Sequence, residues 1–144
     1  MNKKIIILNG SPRENGNTKT LIEYFKKGAE NANNEVICFD LQKMNIHACL
    51  GCFKGGKDAQ SPCVQKDDME QIYTHYQNAD IVVLASPMYY WSISGQLKCA
   101  FDRLFAVAEL DSNYKNPQKS CILLMAAEGE TQYNFAPVKF YYEN

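Results

Sequence analysis

The clearest structural signal in these 144 residues is Ile5-Ile6-Ile7-Leu8-Asn9-Gly10-Ser11-Pro12-Arg13-Glu14-Asn15-Gly16-Asn17-Thr18. Its first four residues form a continuous aliphatic run, which is typical of a strand buried on both faces. The polar part that follows leads into a helical pattern, because apolar residues recur at helical spacing from Leu21 to Ala29. Asn17 or Thr18 is placed to cap that helix. The segment therefore predicts a strand, a loop and a helix in direct succession.

Further apolar runs continue this alternation of strands with helices. The predicted second, third and fourth strands are Glu35–Phe39, Ile81–Ala85 and Cys121–Met125. One more helix is predicted to open at Asp67-Asp68, and another along the apolar stripe from Leu97 to Ala108. Strands that alternate with helices form a parallel sheet covered on both faces. The fold class is therefore α/β, with a doubly wound parallel sheet whose ligand site lies at the carboxyl ends of the strands.

Composition narrows the class of protein. Lys and Arg number 15 against 16 Asp and Glu, and this balance disfavours a nucleic-acid partner, which requires an excess of basic residues. No apolar run approaches the roughly 20 residues of a membrane helix, and the amino-terminal apolar run is too short for a signal peptide. We expect one domain over residues 1–144, in the cytoplasm, with its cysteines as thiols or ligands.

The loop after the first predicted strand has the features of an anion site. Ser11, Asn17 and Thr18 supply neutral hydrogen-bond donors, Arg13 supplies a charged one, and the helix start favours negative charge. The loop is not a Walker A motif, because five residues rather than four separate its glycines and Asn17 stands at the lysine position. The alternative is an ordinary turn between strand and helix with a solvent-facing Arg13.

A second unusual loop, Ser86–Gly95, follows the third predicted strand. Its adjacent aromatic residues Tyr89, Tyr90 and Trp91 offer a flat apolar wall that suits a planar ligand. Alternatively they cover the core or form a subunit contact. A phosphate site and a ring site on neighbouring loops together predict a mononucleotide.

These motifs resemble a known family. Gly10-Ser11-Pro12-Arg13, Gly16-Asn17-Thr18, Ser86-Pro87-Met88-Tyr89 and Phe101-Asp102-Arg103, with Lys98, resemble the flavodoxin-like NAD(P)H-dependent FMN reductases and the related iron-sulfur flavoproteins. The resemblance implies the strand order 2-1-3-4(-5), with the fifth strand missing or atypical here. It also implies a homodimer or higher homo-oligomer. The pair Asp102-Arg103 lies inside a predicted helix, so we interpret it as a salt bridge or subunit contact.

The resemblance also implies which residues bind FMN. The phosphate would be held by Ser11, Arg13, Asn17 and Thr18. The ribityl chain and isoalloxazine ring would be lined by Pro87, Met88, Tyr89 and Tyr90, with Trp91 and Ser92 at the rim. The pyrimidine edge would be approached by Ala127, Glu128 and Gly129. No catalytic side chain is implied, because the flavin N5 itself takes the hydride.

The function implied is that of an FMN-dependent oxidoreductase. It would pass hydride from NAD(P)H through bound FMN to a small acceptor: a quinone, a nitro compound, a flavin or a metal centre. One alternative is a non-enzymatic electron-transfer flavodoxin, which the formal net charge of -1 disfavours because such carriers tend to be strongly acidic. The other is a flavin-free interaction or sensor module of the same fold.

Cys49, Cys52 and Cys63 allow four interpretations. An iron-sulfur cluster is disfavoured because the iron-sulfur flavoprotein pattern has a cysteine where Gly55 stands. A zinc site could add His47, although it lies only two residues from Cys49. A redox dithiol could form between Cys49 and Cys52. The sequence favours the fourth interpretation, small thiols that shape a loop, so that these cysteines are only weak metal candidates.

The segment after Met125 is rich in aromatic residues but shows no clean pattern of strand plus helix. Without a fifth strand, the fourth would be an exposed apolar edge, which proteins usually avoid. We therefore expect either a shortened family member whose edge a partner subunit covers, or a truncated chain.

Overall fold

The computed structural model describes residues 2–129 and 131–143. Within them, four strands form one parallel sheet in the order β2-β1-β3-β4. The strands are β1 (Lys4–Asn9), β2 (Glu35–Asp40), β3 (Ile81–Pro87) and β4 (Ser120–Ala126). The predicted fold class and strand order are confirmed.

Helices cover the sheet. They are α1 (Asn17–Asn31), α2 (Met69–Asn78), α3 (Gly95–Arg103), α4 (Phe105–Ala108) and α5 (Gln132–Glu143), with a short 3₁₀ turn at Leu41–Lys43. The cores lie on the two faces of the sheet because successive strand side chains point to opposite sides. Ile5 and Ile7 pack with Ile22 of α1 on one face, whereas Ile6 and Leu8 pack with α2 and α3 on the other.

Two local expectations were wrong. Neither Asn17 nor Thr18 caps α1: the helix begins at Asn17, the cap position is Gly16, and no side chain caps the helix among the described residues. The predicted third helix is divided, because α3 ends at Arg103 and α4 begins at Phe105.

The carboxyl-terminal aromatic segment forms the helix α5, which contains Pro137. In the described part of the chain, no helix is both long and apolar enough to span a bilayer.

Candidate functional site

The loops after β1 and β3 are fastened to each other at the carboxyl edge of the sheet. The backbone N–H of Gly10 donates to Ala85 O at 2.8 Å, and Ser94 Oγ donates to Gly10 O at 2.7 Å. A side chain at position 10 would meet Ser94 Oγ at 2.5 Å and Leu97 Cβ at 2.7 Å, so only glycine allows this approach. These contacts therefore join the two loops into one rim.

Two buried serines hold the rim in place. Ser94 caps α3, because its Oγ accepts from the N–H of Leu97 at 3.2 Å. The N–H of Ser94 in turn donates to Ser86 Oγ at 2.8 Å, and both serines are fully buried. Sequence reasoning missed this role. A serine directly before a helical stripe is a cap signal that could have identified Ser94, but its partner Gly10 lies 84 residues away.

The first pocket, of about 520 Å³, opens at the ends of β1 and β2. It is lined by Asn9, Ser11, Pro12, Arg13, Glu14, Lys19, Asp40, Gln42 and Lys43. Asn9 shapes its floor: Asn9 Nδ2 donates to Asp40 Oδ1 at 2.9 Å, and Asn9 Oδ1 accepts from the N–H of Ser11 at 3.0 Å. Ser11 and Arg13 were predicted here. Asp40, the last residue of β2, was not predicted as part of the site. The predicted strand order could have suggested it, because that order places β2 beside β1.

Three basic side chains and two acidic ones, Glu14 and Asp40, line the first pocket, and the excess of positive charge favours an anion. Arg13, Lys19 and Lys43 line it, and Lys43 pairs with Glu14 at 2.9 Å. The hydrogen bond from Lys43 lowers the pKa of Glu14, and the same contact raises the pKa of Lys43. The first backbone N–H groups of α1 have no side-chain cap within the described residues, so they add positive potential at this end of the helix.

The structure does not bring all four predicted phosphate ligands together. Asn17 is exposed and Thr18 is buried in the first turn of α1, and neither lines the first pocket. Their role toward a phosphate stays a prediction. If they act, they do so through the start of the helix, beside the pocket that contains Ser11 and Arg13.

The second pocket, of about 330 Å³, lies at the ends of β3 and β4. It is lined by Met88, Tyr90, Trp91, Ala127, Glu128, Gly129 and Asn134. All of these except Asn134 were predicted. The N–H of Met88 donates to Ala126 O at 2.8 Å, which joins the two loops. Pro87, Tyr89 and Ser92 lie next to this pocket in the chain but do not line it.

The three loop cysteines share one small cavity but do not form a metal site. Cys49, Cys52 and Cys63 line a space of about 50 Å³ beside Arg103. Among the described residues, no three His, Cys, Asp or Glu side chains are grouped to hold a metal ion. Gly55 has no room for a side chain, because a Cβ there would lie 2.8 Å from Pro62 O and against the Glu109 carboxylate. The residues present therefore do not fit an iron-sulfur cluster.

Protein contacts hold this loop instead. Arg103 Nη1 lies 2.6 Å from Asp67 Oδ2, and both side chains are almost fully buried, at 0% and 1% exposed. The same guanidinium donates to the carbonyls of His47 and Gln65 at 3.0 and 3.3 Å. Burial would raise the pKa of Asp67, but the hydrogen bonds from Arg103 and from two backbone N–H groups outweigh it, and the pKa lies below its usual value.

The neighbouring Asp102 is also paired. It accepts from Lys98 Nζ at 2.6 Å on the exposed side of α3. The interpretation of Asp102-Arg103 as salt-bridging residues is therefore confirmed, since each belongs to a separate pair. Neither pair reaches into the first or the second pocket.

Comparison with known proteins identifies similar sequences. Residues 3–134 match the profile of a family described as NADPH-dependent FMN reductase. An iron-sulfur flavoprotein of Archaeoglobus fulgidus is 36% identical over 101 residues, which are 70% of this chain and 45% of that protein. An FMN-dependent NADPH-azoreductase of Staphylococcus saprophyticus is 34% identical over 101 residues, which are 70% of this chain and 52% of that protein.

Solved structures share the fold. An NAD(P)H:quinone oxidoreductase from Methanothermobacter marburgensis superposes with a TM-score of 0.72 at 20% identity, covering 94% of this chain and 69% of that one. At this identity the likeness concerns the fold alone. The chain spans about half the length of the curated relatives it matches.

Proposed function

Because this chain belongs to the NADPH-dependent FMN reductase family, we propose that it binds FMN across its two pockets and acts as an NAD(P)H-dependent oxidoreductase. One observation carries the proposal: a basic pocket and an aromatic pocket sit on neighbouring strand ends, joined by the hydrogen bond between Ser94 and Gly10. FMN, when bound, supplies hydride acceptance from NAD(P)H and electron transfer to a second substrate.

The first pocket would hold the phosphate. Arg13 and Lys19 supply positive charge, Ser11 supplies a hydroxyl, and the uncapped start of α1 supplies backbone donors. The fixed position of Ser11, whose N–H is bound by Asn9, means that little order has to be gained when the anion binds.

The second pocket would take the planar ring. Met88 and the ring of Tyr90 offer apolar and aromatic surface to the isoalloxazine, while the backbone from Ala127 to Gly129 offers hydrogen-bonding groups at the end of β4. Trp91, with 55% of its surface exposed, would lie at the outer edge of this pocket, beyond the flavin. The bond from Met88 N–H to Ala126 O keeps the two sides of this pocket at a fixed separation.

The electron acceptor we propose is a small quinone, nitro or azo compound. The support is the open aromatic pocket, together with similarity to a protein named as an azoreductase and to the fold of one named as a quinone oxidoreductase. NAD(P)H and the acceptor would use the same open face in turn, which gives ping-pong kinetics. A free flavin and a metal centre are the other acceptors to assay.

The experiment is purification of the full chain followed by a visible spectrum and NADPH oxidation assays. We expect one FMN per chain and quinone-dependent NADPH oxidation with parallel double-reciprocal lines. An FMN-loaded protein without NADPH oxidation would instead indicate an electron carrier. A protein that remains colourless after incubation with FMN would indicate the flavin-free module and contradict the proposal.

We further propose that the protein works in the cytoplasm as a homodimer. All six cysteines are free thiols, the state that a reducing compartment maintains. In the described part of the chain, β4 pairs as a strand with β3 alone, and α5 contacts it through the hydrogen bond that the Tyr142 hydroxyl donates to Cys121 O. A strand edge that no further strand pairs with is a template for association. Light scattering should give twice the chain mass of 16.4 kDa, whereas a stable monomer contradicts the dimer.

A further inference from the structure

A strained turn projects two aromatic rings at the second pocket. The N–H of Tyr89 donates to Ser92 O at 3.0 Å, and the N–H of Ser92 donates to Tyr89 O at 3.1 Å, which closes a two-residue turn. Its central residues, Tyr90 and Trp91, have φ of +49° and +57°. Positive φ at both positions defines a type I′ turn, which normally contains Asn-Gly because other side chains are strained there.

The strained turn does not bury its two aromatic rings. Tyr90 is 94% exposed and Trp91 is 55% exposed. They contact each other edge to face, with centroids 6.4 Å apart at 72°. The conformation is imposed from the flanks, where Ser94 N–H is bound by Ser86 Oγ and Met88 N–H by Ala126 O. Backbone strain that the surrounding structure maintains is a feature of ligand sites.

Both rings line the second pocket, opposite the loop from Ala127 to Gly129. We propose that Trp91, braced by Tyr90, is the specificity-determining residue that stacks on the flat ring of the electron acceptor, so that the enzyme selects planar aromatic acceptors. The inference rests on the proposed function and deepens it. Exposed aromatic faces stack offset or edge to face with other rings and discriminate against acceptors without a flat face.

The test compares two acceptors in the FMN-loaded full chain: a planar naphthoquinone, and ferricyanide, which has no flat ring. Trp91→Phe keeps a ring, whereas Trp91→Leu keeps apolar bulk without one. We expect the ratio of kcat/KM for quinone to that for ferricyanide to fall about tenfold in Trp91→Leu, mainly through quinone KM, and to be restored in Trp91→Phe.

Trp91→Gly separates a binding role from a structural one. Glycine adopts positive φ freely, so this variant should unfold at a higher urea concentration while its quinone preference falls. The matched control is Tyr114→Gly, since Tyr114 is another exposed aromatic residue with positive φ, +56°, but lies outside the second pocket. We expect this control to keep the acceptor ratio of the wild type.

The remaining outcomes are decisive. An unchanged acceptor ratio in Trp91→Leu and Trp91→Gly overturns the inference and leaves the proposed function standing. Loss of FMN from Trp91→Gly also overturns it, because Trp91 would then hold the cofactor rather than the acceptor. A wild-type protein that neither binds FMN nor oxidises NADPH overturns the proposed function itself, and the inference with it.

Discussion

Ser94 Oγ lies 2.7 Å from the carbonyl oxygen of Gly10 and donates a hydrogen bond to it. This bond joins the start of α3 to the loop after β1, so one serine both caps a helix and fixes the distance between the two pockets. Replacing either partner should therefore affect stability and FMN affinity together.

Ser94→Ala removes the cap of α3 and the bond to Gly10 in one step. We expect a loss of about 1–2 kcal/mol in the free energy of unfolding, measured in urea, and weaker FMN binding. Ser112→Ala, at an exposed loop position, is the control and should change both quantities little. Full FMN affinity in Ser94→Ala would show that the loops hold their separation without this bond.

Gly10→Ala tests the same contact sterically. Its Cβ would meet Ser94 Oγ and Leu97 Cβ inside contact distance, so the loops must move apart. We expect destabilisation of about 1–3 kcal/mol, the usual cost of overpacking. Gly28→Ala is the matched control: it lies in α1 with nothing within 4 Å of the added Cβ, and should stabilise the protein by about 0.5–1 kcal/mol. Equal effects of the two substitutions would refute the close approach.

The buried pair between Arg103 and Asp67 holds the loop that contains Cys49, Cys52 and Cys63. It should therefore contribute more to the free energy of unfolding than an exposed ion pair does. Arg103→Met leaves the Asp67 carboxylate buried without its partner, and we expect a loss of about 3–5 kcal/mol in the free energy of unfolding. Lys98→Met breaks the exposed pair with Asp102 on the same helix and should cost less than about 1 kcal/mol. Similar losses in the two variants would argue against the buried pair.

The pKa of Asp67 adds a pH signature. Because this pKa is lower in the folded protein than in the unfolded chain, the carboxylate stabilises the fold fully above the unfolded value of about 4. That contribution disappears as the pH falls through the lower, folded pKa. Urea unfolding of Asp67→Asn should therefore show a shallower loss of stability in acid than the wild type; parallel pH profiles would exclude this role.

Arg13 should discriminate FMN from riboflavin. Arg13→Gln removes a positive charge from the first pocket, so FMN affinity should fall about tenfold while riboflavin affinity stays the same, since riboflavin has no phosphate. Lys27→Gln, an equal charge change on an exposed position of α1, should leave both affinities unaltered. A matching loss for riboflavin would mean that Arg13 only supports the loop.

The sequence predicts most of the sheet but not the contacts that join its loops. Ile5–Leu8 is a short, uniformly aliphatic run, which is typical of a strand buried on both faces, and β1 contains it. The sequence did not predict the helix α5, because proline at position 137 is unfavourable inside a helix and the segment lacks an apolar stripe. The partners Arg103 and Asp67 are 36 residues apart, and such a distance carries no local signal.

The candidate site also contains residues that the sequence predicts and residues that it does not. Residues of the second pocket follow strand ends directly, so Met88, Tyr90 and Trp91 could be predicted from chain position and type. Asp40 and Lys43 enter the first pocket because β2 lies beside β1. The predicted strand order implies that neighbourhood, but no local pattern marks these two residues as part of the site.

Titration of the flavin-depleted protein with FMN, followed by flavin fluorescence, tests the central claim most directly. The two joined pockets predict saturation at one FMN per chain, with riboflavin bound more weakly for want of a phosphate. Absence of saturable binding, or equal affinity for FMN and riboflavin, would contradict a site built from a basic and an aromatic pocket.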